Sequence, residues 1–206
     1  MKKTIICSLP FKPNVDKVIY ESTDMSMKVA NREVRFPVNA LLEGIITDED
    51  ELKVLLLVKQ DKNNFYEKNK EFFLEELYQV TDKLHVKVGV VYIYTEFSQT
   101  REVHESLLDE LIDNIEDDSH ILADITYGPK DEPIIIFAAL KFAEKHLNCD
   151  IEGIIYGLAQ FDDNHHVVEG KLCDMSSLFY LSSVADSIEC TTSEKARRMM
   201  KALISV

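Results

Sequence analysis

Between Lys53 and Lys59 the chain reads Val-Leu-Leu-Leu-Val with no polar interruption. A strand with one face in water alternates apolar and polar residues, so an unbroken apolar run is covered on both faces, the situation of a central strand in a parallel sheet between helical layers. The remaining sequence must then supply neighbouring strands and two sets of helices. Apolar runs at residues 4–9, 86–94, 121–125 and 151–156 supply the strands. Between them, residues 36–46 put Val38, Leu41, Leu42 and Ile45 on one helical stripe, and residues 64–78 do the same with Phe65, Phe72, Phe73 and Leu77. A helix over about 101–115 sets Val103, Leu107, Leu108, Leu111 and Ile112 against an acidic, solvated face of Glu102, Glu105, Asp109, Glu110 and Asp113. The fold class that follows is α/β: a Rossmann-like, doubly wound, mainly parallel sheet with helices on both faces. Short strands at 18–20 and 27–34 around a polar turn predict a β-hairpin inserted before the first helix. The polar turn at 162–170, flanked by Val167 and Val168, predicts an edge hairpin.

One strand-turn-helix unit stands out: His120 to Leu140, HILADITYGPKDEPIIIFAAL. In an open parallel sheet, ligands sit beyond the carboxyl ends of the strands, where a helix amino terminus offers unpaired N–H groups to an anion. Asp131 is the predicted N-cap, and Pro133 fits the first turn because its missing N–H would have had no partner there. Spacing alone is also satisfied by a plain turn in which Gly128 supplies a positive φ.

Composition narrows the functional classes. The net charge of −14 argues against a broad nucleic-acid-binding face and so against DNA as a partner, while leaving room for a small anion pocket lined by a few lysines. Cys7, Cys149, Cys173 and Cys190 form no C-x-x-C pair and lie near no histidine at ligand spacing, so reduced thiols, a cytoplasmic protein and no metal are expected. His165 and His166 are adjacent and cannot both face one side of a strand. The apolar run at the amino terminus stops at Pro10, well short of a signal peptide, and no run reaches the roughly 18 to 20 residues of a membrane span. Neither phosphate-loop nor dinucleotide fingerprints nor a G-x-S-x-G elbow occurs, and no cofactor is expected.

The sequence Asp124-Ile125-Thr126-Tyr127-Gly128-Pro129-Lys130-x-x-Pro133 resembles the Asp-[Ile/Leu]-Thr-His-Gly-Phe-Arg-x-x-Pro signature of CRISPR-associated Rossmann fold (CARF) domains, the cyclic oligoadenylate sensors of type III CRISPR antiviral defence. Tyr127, Pro129 and Lys130 replace the family's His, Phe and Arg, so the basic charge is kept but the bidentate fork is not. The order of elements from Val91 to Pro133 and the early hairpin resemble the family as well. The resemblance implies a homodimer whose strand ends hold a ring of adenylates, tetra- or hexa-adenylate, on the two-fold axis. It implies a ligand site built from Ser8, Leu9 and Pro10 after the first strand, Lys59 and Gln60 after the second, Thr95 and Gln99 after the third, and Asp124, Thr126, Tyr127, Gly128, Lys130 and Gly157. Thr126, Gly128 and Lys130 would serve phosphates, Ser8, Gln60, Thr95 and Gln99 the adenine and ribose edges, and Tyr127 a stacking wall; Lys62 could add charge.

Two functions stay open. One is a sensor, read by an effector domain or protein. The other is a ring nuclease, in which a ribose 2′-OH attacks the neighbouring phosphate without metal, Lys130 stabilises the phosphoryl oxygens and Thr126 or Ser8 orients the attacking group. The Arg-x4–6-His ribonuclease pattern of many CARF effectors is absent, since only two residues separate Arg101 from His104. The family comparison implies a sensory domain over 1–190, including a helix at 174–188. A final helix from Ser193, its predicted cap, would run over 193–203 with Ala196, Met199, Met200 and Leu203 in one stripe, as a core contact, dimer contact or lead-in to an effector domain.

Overall fold

The computed structural model describes residues 1–13, 15–23, 27–60, 65–163 and 167–204. It forms two units, Met1–Asp174 and Met175–Val206. The first holds an eight-stranded, mainly parallel sheet: β1 (Lys2–Ser8), β2 (Val18–Ser22), β3 (Glu33–Val34), β4 (Glu51–Gln60), β5 (Lys87–Glu96), β6 (His120–Asp124), β7 (Asp150–Phe161) and β8 (Val167–Asp174). Their order across the sheet is β3-β2-β8-β7-β6-β1-β4-β5, and only the β2–β3 and β7–β8 pairs are antiparallel. The helices are α1 (Pro37–Ile45), α2 (Phe65–Leu84), α3 (Arg101–Asn114) and α4 (Glu132–His146). This is the doubly wound α/β arrangement read from the sequence.

Strand register separates the two helical layers. Ile5 lies beside Val54 and Cys7 beside Leu56. These side chains join one buried cluster with Leu41 and Leu42 of α1 and Phe73, Leu77 and Val80 of α2. The alternate residues point the other way: Ile6 pairs with Leu55, Ser8 with Leu57, and Leu57 with Ile93. They are buried, as are Leu107 and Leu111 of α3 and Ile136, Ala139 and Leu140 of α4. The run from Val54 to Val58 is at most 1% exposed along its whole length, which is why no polar residue interrupts it.

The crossing from one layer to the other sets where a crevice opens. From β1 the chain moves through α1 to β4 and through α2 to β5; then α3 returns it to β6, on the other side of β1. Chain direction across the sheet therefore reverses between β1 and β6. The loops leaving their carboxyl ends diverge and open a crevice there.

Several sequence expectations change in detail. The early hairpin forms, Val18 pairing with Val34, and it is this hairpin that occupies an edge. The β7–β8 hairpin is interior, because β8 also pairs in parallel with β2 through Tyr20 and Gly170. A parallel pairing between segments some 150 positions apart leaves no local trace. Helix α2 continues to Leu84, beyond the predicted end, and His165, His166 and Lys62 lie outside the described residues. In the second unit, α5 (Ser176–Ser187) groups with α6 (Ser193–Ile204), so contacts divide the chain at Asp174 instead of near residue 190. Thr192, not Ser193, caps α6, its hydroxyl accepting from the Lys195 N–H at 3.3 Å. Ala196 and Met200 are half-buried, while Met199 and Leu203 are exposed.

Candidate functional site

The strand ends at the crevice carry two buried polar centres on opposite faces of the sheet. On the α1 and α2 side, Asp124 closes β6 and is 3% exposed. One carboxylate oxygen accepts the Val38 N–H at 2.9 Å, tying the first turn of α1 to the strand. The other accepts the Thr126 N–H at 2.9 Å and the Thr126 hydroxyl. Burial still raises the Asp124 carboxyl, against the lowering by these hydrogen bonds. Thr126 Oγ1 in turn accepts the Gly157 N–H at 2.7 Å, linking β6 to β7. A Cβ on Gly157 would meet the Pro37 ring and Thr126 Oγ1, so this glycine permits close packing of α1 on β7. The Tyr127 hydroxyl donates to the Arg35 carbonyl at 2.7 Å, and its ring meets Phe36 edge-on at 6.0 Å.

The second centre lies under α4, and its main member, Glu132, was not singled out from the sequence. Ser8, Lys59 and Thr95 share the α3 and α4 face, because Ser8 is in register with Leu57 and Lys59 with Thr95. Glu132, the first residue of α4, folds its side chain back over them. The Ser8 hydroxyl donates to Glu132 Oε2 at 2.5 Å, and Lys59 Nζ stands 4.0 Å from Oε1 while donating to the Glu96 carbonyl at 3.1 Å. Glu132 Oε1 and Thr95 Oγ1 have no hydrogen-bond partner among the described residues. Burial pushes the Glu132 carboxyl up to about 7, against the lowering effects of Ser8 and Lys59. Gly128 is bound to this arrangement: its φ is +99°, and a Cβ there would collide with the Glu132 carboxylate.

Asp131 does not cap α4. Its φ of −79° and ψ of −31° are already helical, and its side chain makes no cap hydrogen bond. Instead Oδ1 accepts Gln99 Nε2 at 3.1 Å and Oδ2 faces His104 Nε2 at 3.0 Å, fastening the loop after β5 and the start of α3 to α4. The Glu132 N–H goes to the Pro129 carbonyl at 3.1 Å, and Pro133 does occupy the first turn.

The expected site residues thus fall into four groups. Ser8, Lys59, Thr95 and Gly128 gather around Glu132. Asp124, Thr126, Tyr127 and Gly157 form the clamp on the other face. Gln60, Gln99 and Lys130 are exposed at the rim, and Lys130 has no partner among the described residues. Leu9 and Pro10 are buried; the Leu9 N–H donates to Leu57, and Asn69 Nδ2 holds the Pro10 and Lys12 carbonyls at 2.8 and 3.0 Å.

An open cavity of about 540 Å³ beside the end of β5 is lined by Thr95, Ser98 and Thr100, but also by Glu96 and Glu102. Those two carboxylates would repel a polyanion. Among the described residues no group of three or more His, Cys, Asp or Glu is placed to hold a metal, and no helix is long and apolar enough to cross a membrane. No protein-family model matches the chain, and no curated protein matches it.

Proposed function

We propose that the chain is a cyclic oligoadenylate sensor of CARF type, binding one tetra- or hexa-adenylate ring across a homodimer two-fold for an effector domain or protein to read. The observation that carries this reading is the buried polar cluster of Ser8, Glu132, Lys59 and Thr95, directly at the switch point of the sheet. Burying such groups costs free energy that an apolar set would not, and that cost is characteristic of a site. The exposed Lys130 adds a cationic donor of the kind a phosphodiester accepts. The sequence likeness at Asp124, Thr126, Gly128 and Pro133 supplies the ligand class.

A second reading has its own support. The Ser8 hydroxyl, held 2.5 Å from a carboxyl raised to about 7, is a polar pair suited to orienting a ribose 2′-OH for attack on the adjacent phosphorus. On that reading the chain is a metal-independent ring nuclease that ends the signal. Both readings are tested together by titrating cyclic tri-, tetra- and hexa-adenylate into the protein in EDTA by calorimetry, with chromatography of the same mixtures. One intact ring bound per two chains supports the sensor. Linear products ending in 2′,3′-cyclic phosphate support the nuclease, and absence of binding to every ring removes both.

A further inference from the structure

Glu132 is 0% exposed and Lys59 4%, yet the pair is not closed into a salt bridge of good geometry. The carboxyl receives one full hydrogen bond, from Ser8, and its nearest cation stays 4.0 Å away, committed to the Glu96 carbonyl. The charged groups acting on it are Lys59 from β4 and Asp131 immediately before α4, with His104 of α3 against Asp131. Ser8 from β1 faces it as a neutral donor. This balance leaves the acid near its titration midpoint at neutral pH. A phosphodiester arriving at Ser8, Lys59 and Lys130 adds negative charge close to the carboxyl in a low-dielectric layer, and it competes for the one nearby ammonium. Both effects disfavour the carboxylate.

We propose that Glu132 is a positioning residue of the anion site, holding the Ser8 hydroxyl in place beside Lys59, and that it takes up a proton when a phosphate-bearing ligand binds there. The inference rests on the reading of this crevice as the cyclic oligoadenylate site. With the carboxyl at about 7, the free chain at pH 7 carries about half a proton there and the bound chain close to a whole one. Binding therefore takes up about half a proton per chain, about one per ring, and affinity for the ring falls as pH rises above about 7, by up to about a hundredfold per pH unit because two carboxyls are linked to each ring. Phosphodiesters and adenine do not titrate near neutrality, so the ligand contributes no proton of its own.

The test is calorimetric titration of the full chain with cyclic tetra- and hexa-adenylate at pH 7, in two buffers of different ionisation enthalpy, repeated from pH 6.5 to 8.5. The buffer dependence of the apparent enthalpy counts the protons. The expected result is uptake of about half a proton per chain by the natural sequence, with affinity falling at least about tenfold across the range, and for Glu132→Gln no uptake and a flat profile. Tight binding of a ring without proton uptake overturns the role of Glu132 and leaves the site reading intact, as does uptake that persists in Glu132→Gln. Failure of every ring to bind overturns both. Absence of uptake in the two-buffer comparison on the natural sequence overturns the role of Glu132 even if the variant folds poorly.

Discussion

Asp124 and Glu132 are both buried carboxyls beside the crevice at the carboxyl ends of the strands, eight positions apart in sequence and on opposite faces. Asp124 is saturated: two N–H groups and a hydroxyl converge on it from α1 and the turn after β6. Glu132 is under-saturated, with one hydroxyl donor, a lysine at 4.0 Å and an oxygen with no partner among the described residues. A saturated carboxylate holds the chain together, and removing it orphans its donors. An under-saturated one keeps capacity for a proton or a change of partner, the property a binding site uses. The contrast assigns Asp124 and Thr126 to building the crevice. Ser8, Lys59 and Glu132 are the residues on which the proposed chemistry rests.

The comparison breaks most directly at Asp124. Asp124→Ala should lower the unfolding free energy by roughly 3 to 4 kcal/mol, because it leaves two buried N–H groups and a hydroxyl without their acceptor; urea denaturation measures this. A loss below about 1 kcal/mol would mean that Asp124 is no clamp.

Glu132 should show its difference through pH. Its folded value of about 7 lies above the ordinary 4.5, so the folded state holds the proton more tightly than the unfolded chain. That contribution to stability is full below about 4.5 and is lost as pH rises through about 7. The loss is roughly 3 kcal/mol across the window. Glu132→Gln should lack it. Asp124 contributes in the same direction but is present in both proteins, so the difference between their stability–pH curves isolates Glu132.

Gly128→Ala tests the coupling between turn and carboxyl. A φ of +99° and a clash with the Glu132 carboxylate predict a cost of roughly 2 kcal/mol, with any ligand affinity reduced as well. The smallest effect on stability belongs to Lys130→Ala. This residue is exposed and without a partner among the described residues, so thermal or urea unfolding should move by less than about 0.5 kcal/mol. Ring binding should weaken by roughly 1.5 to 3 kcal/mol if the ammonium meets phosphate. Unchanged binding would remove Lys130 from the site.

Where a feature depended on neighbours in sequence, reading the sequence was enough. The strand around Val54 to Val58, the helical stripes of α1 and α3, and the strand-turn-helix unit with Gly128 at its turn all follow from periodicities of two or 3.6 residues, which the backbone imposes locally. Those patterns also determined the fold class. Asp131 shows the limit. An Asp before a helix reads as a cap, yet its carboxylate goes to Gln99 and His104, about thirty positions back. The same limit hid Glu132. An acid in a first helical turn reads as a complement to the helix dipole, and nothing local says that its side chain turns inward to Ser8, 124 positions away. The placement of β8 beside β2 was likewise decided only when the sheet assembled. Apolar burial has no direction and can be read from the order of residues, whereas a hydrogen bond is fixed by two atoms that only the folded chain brings together.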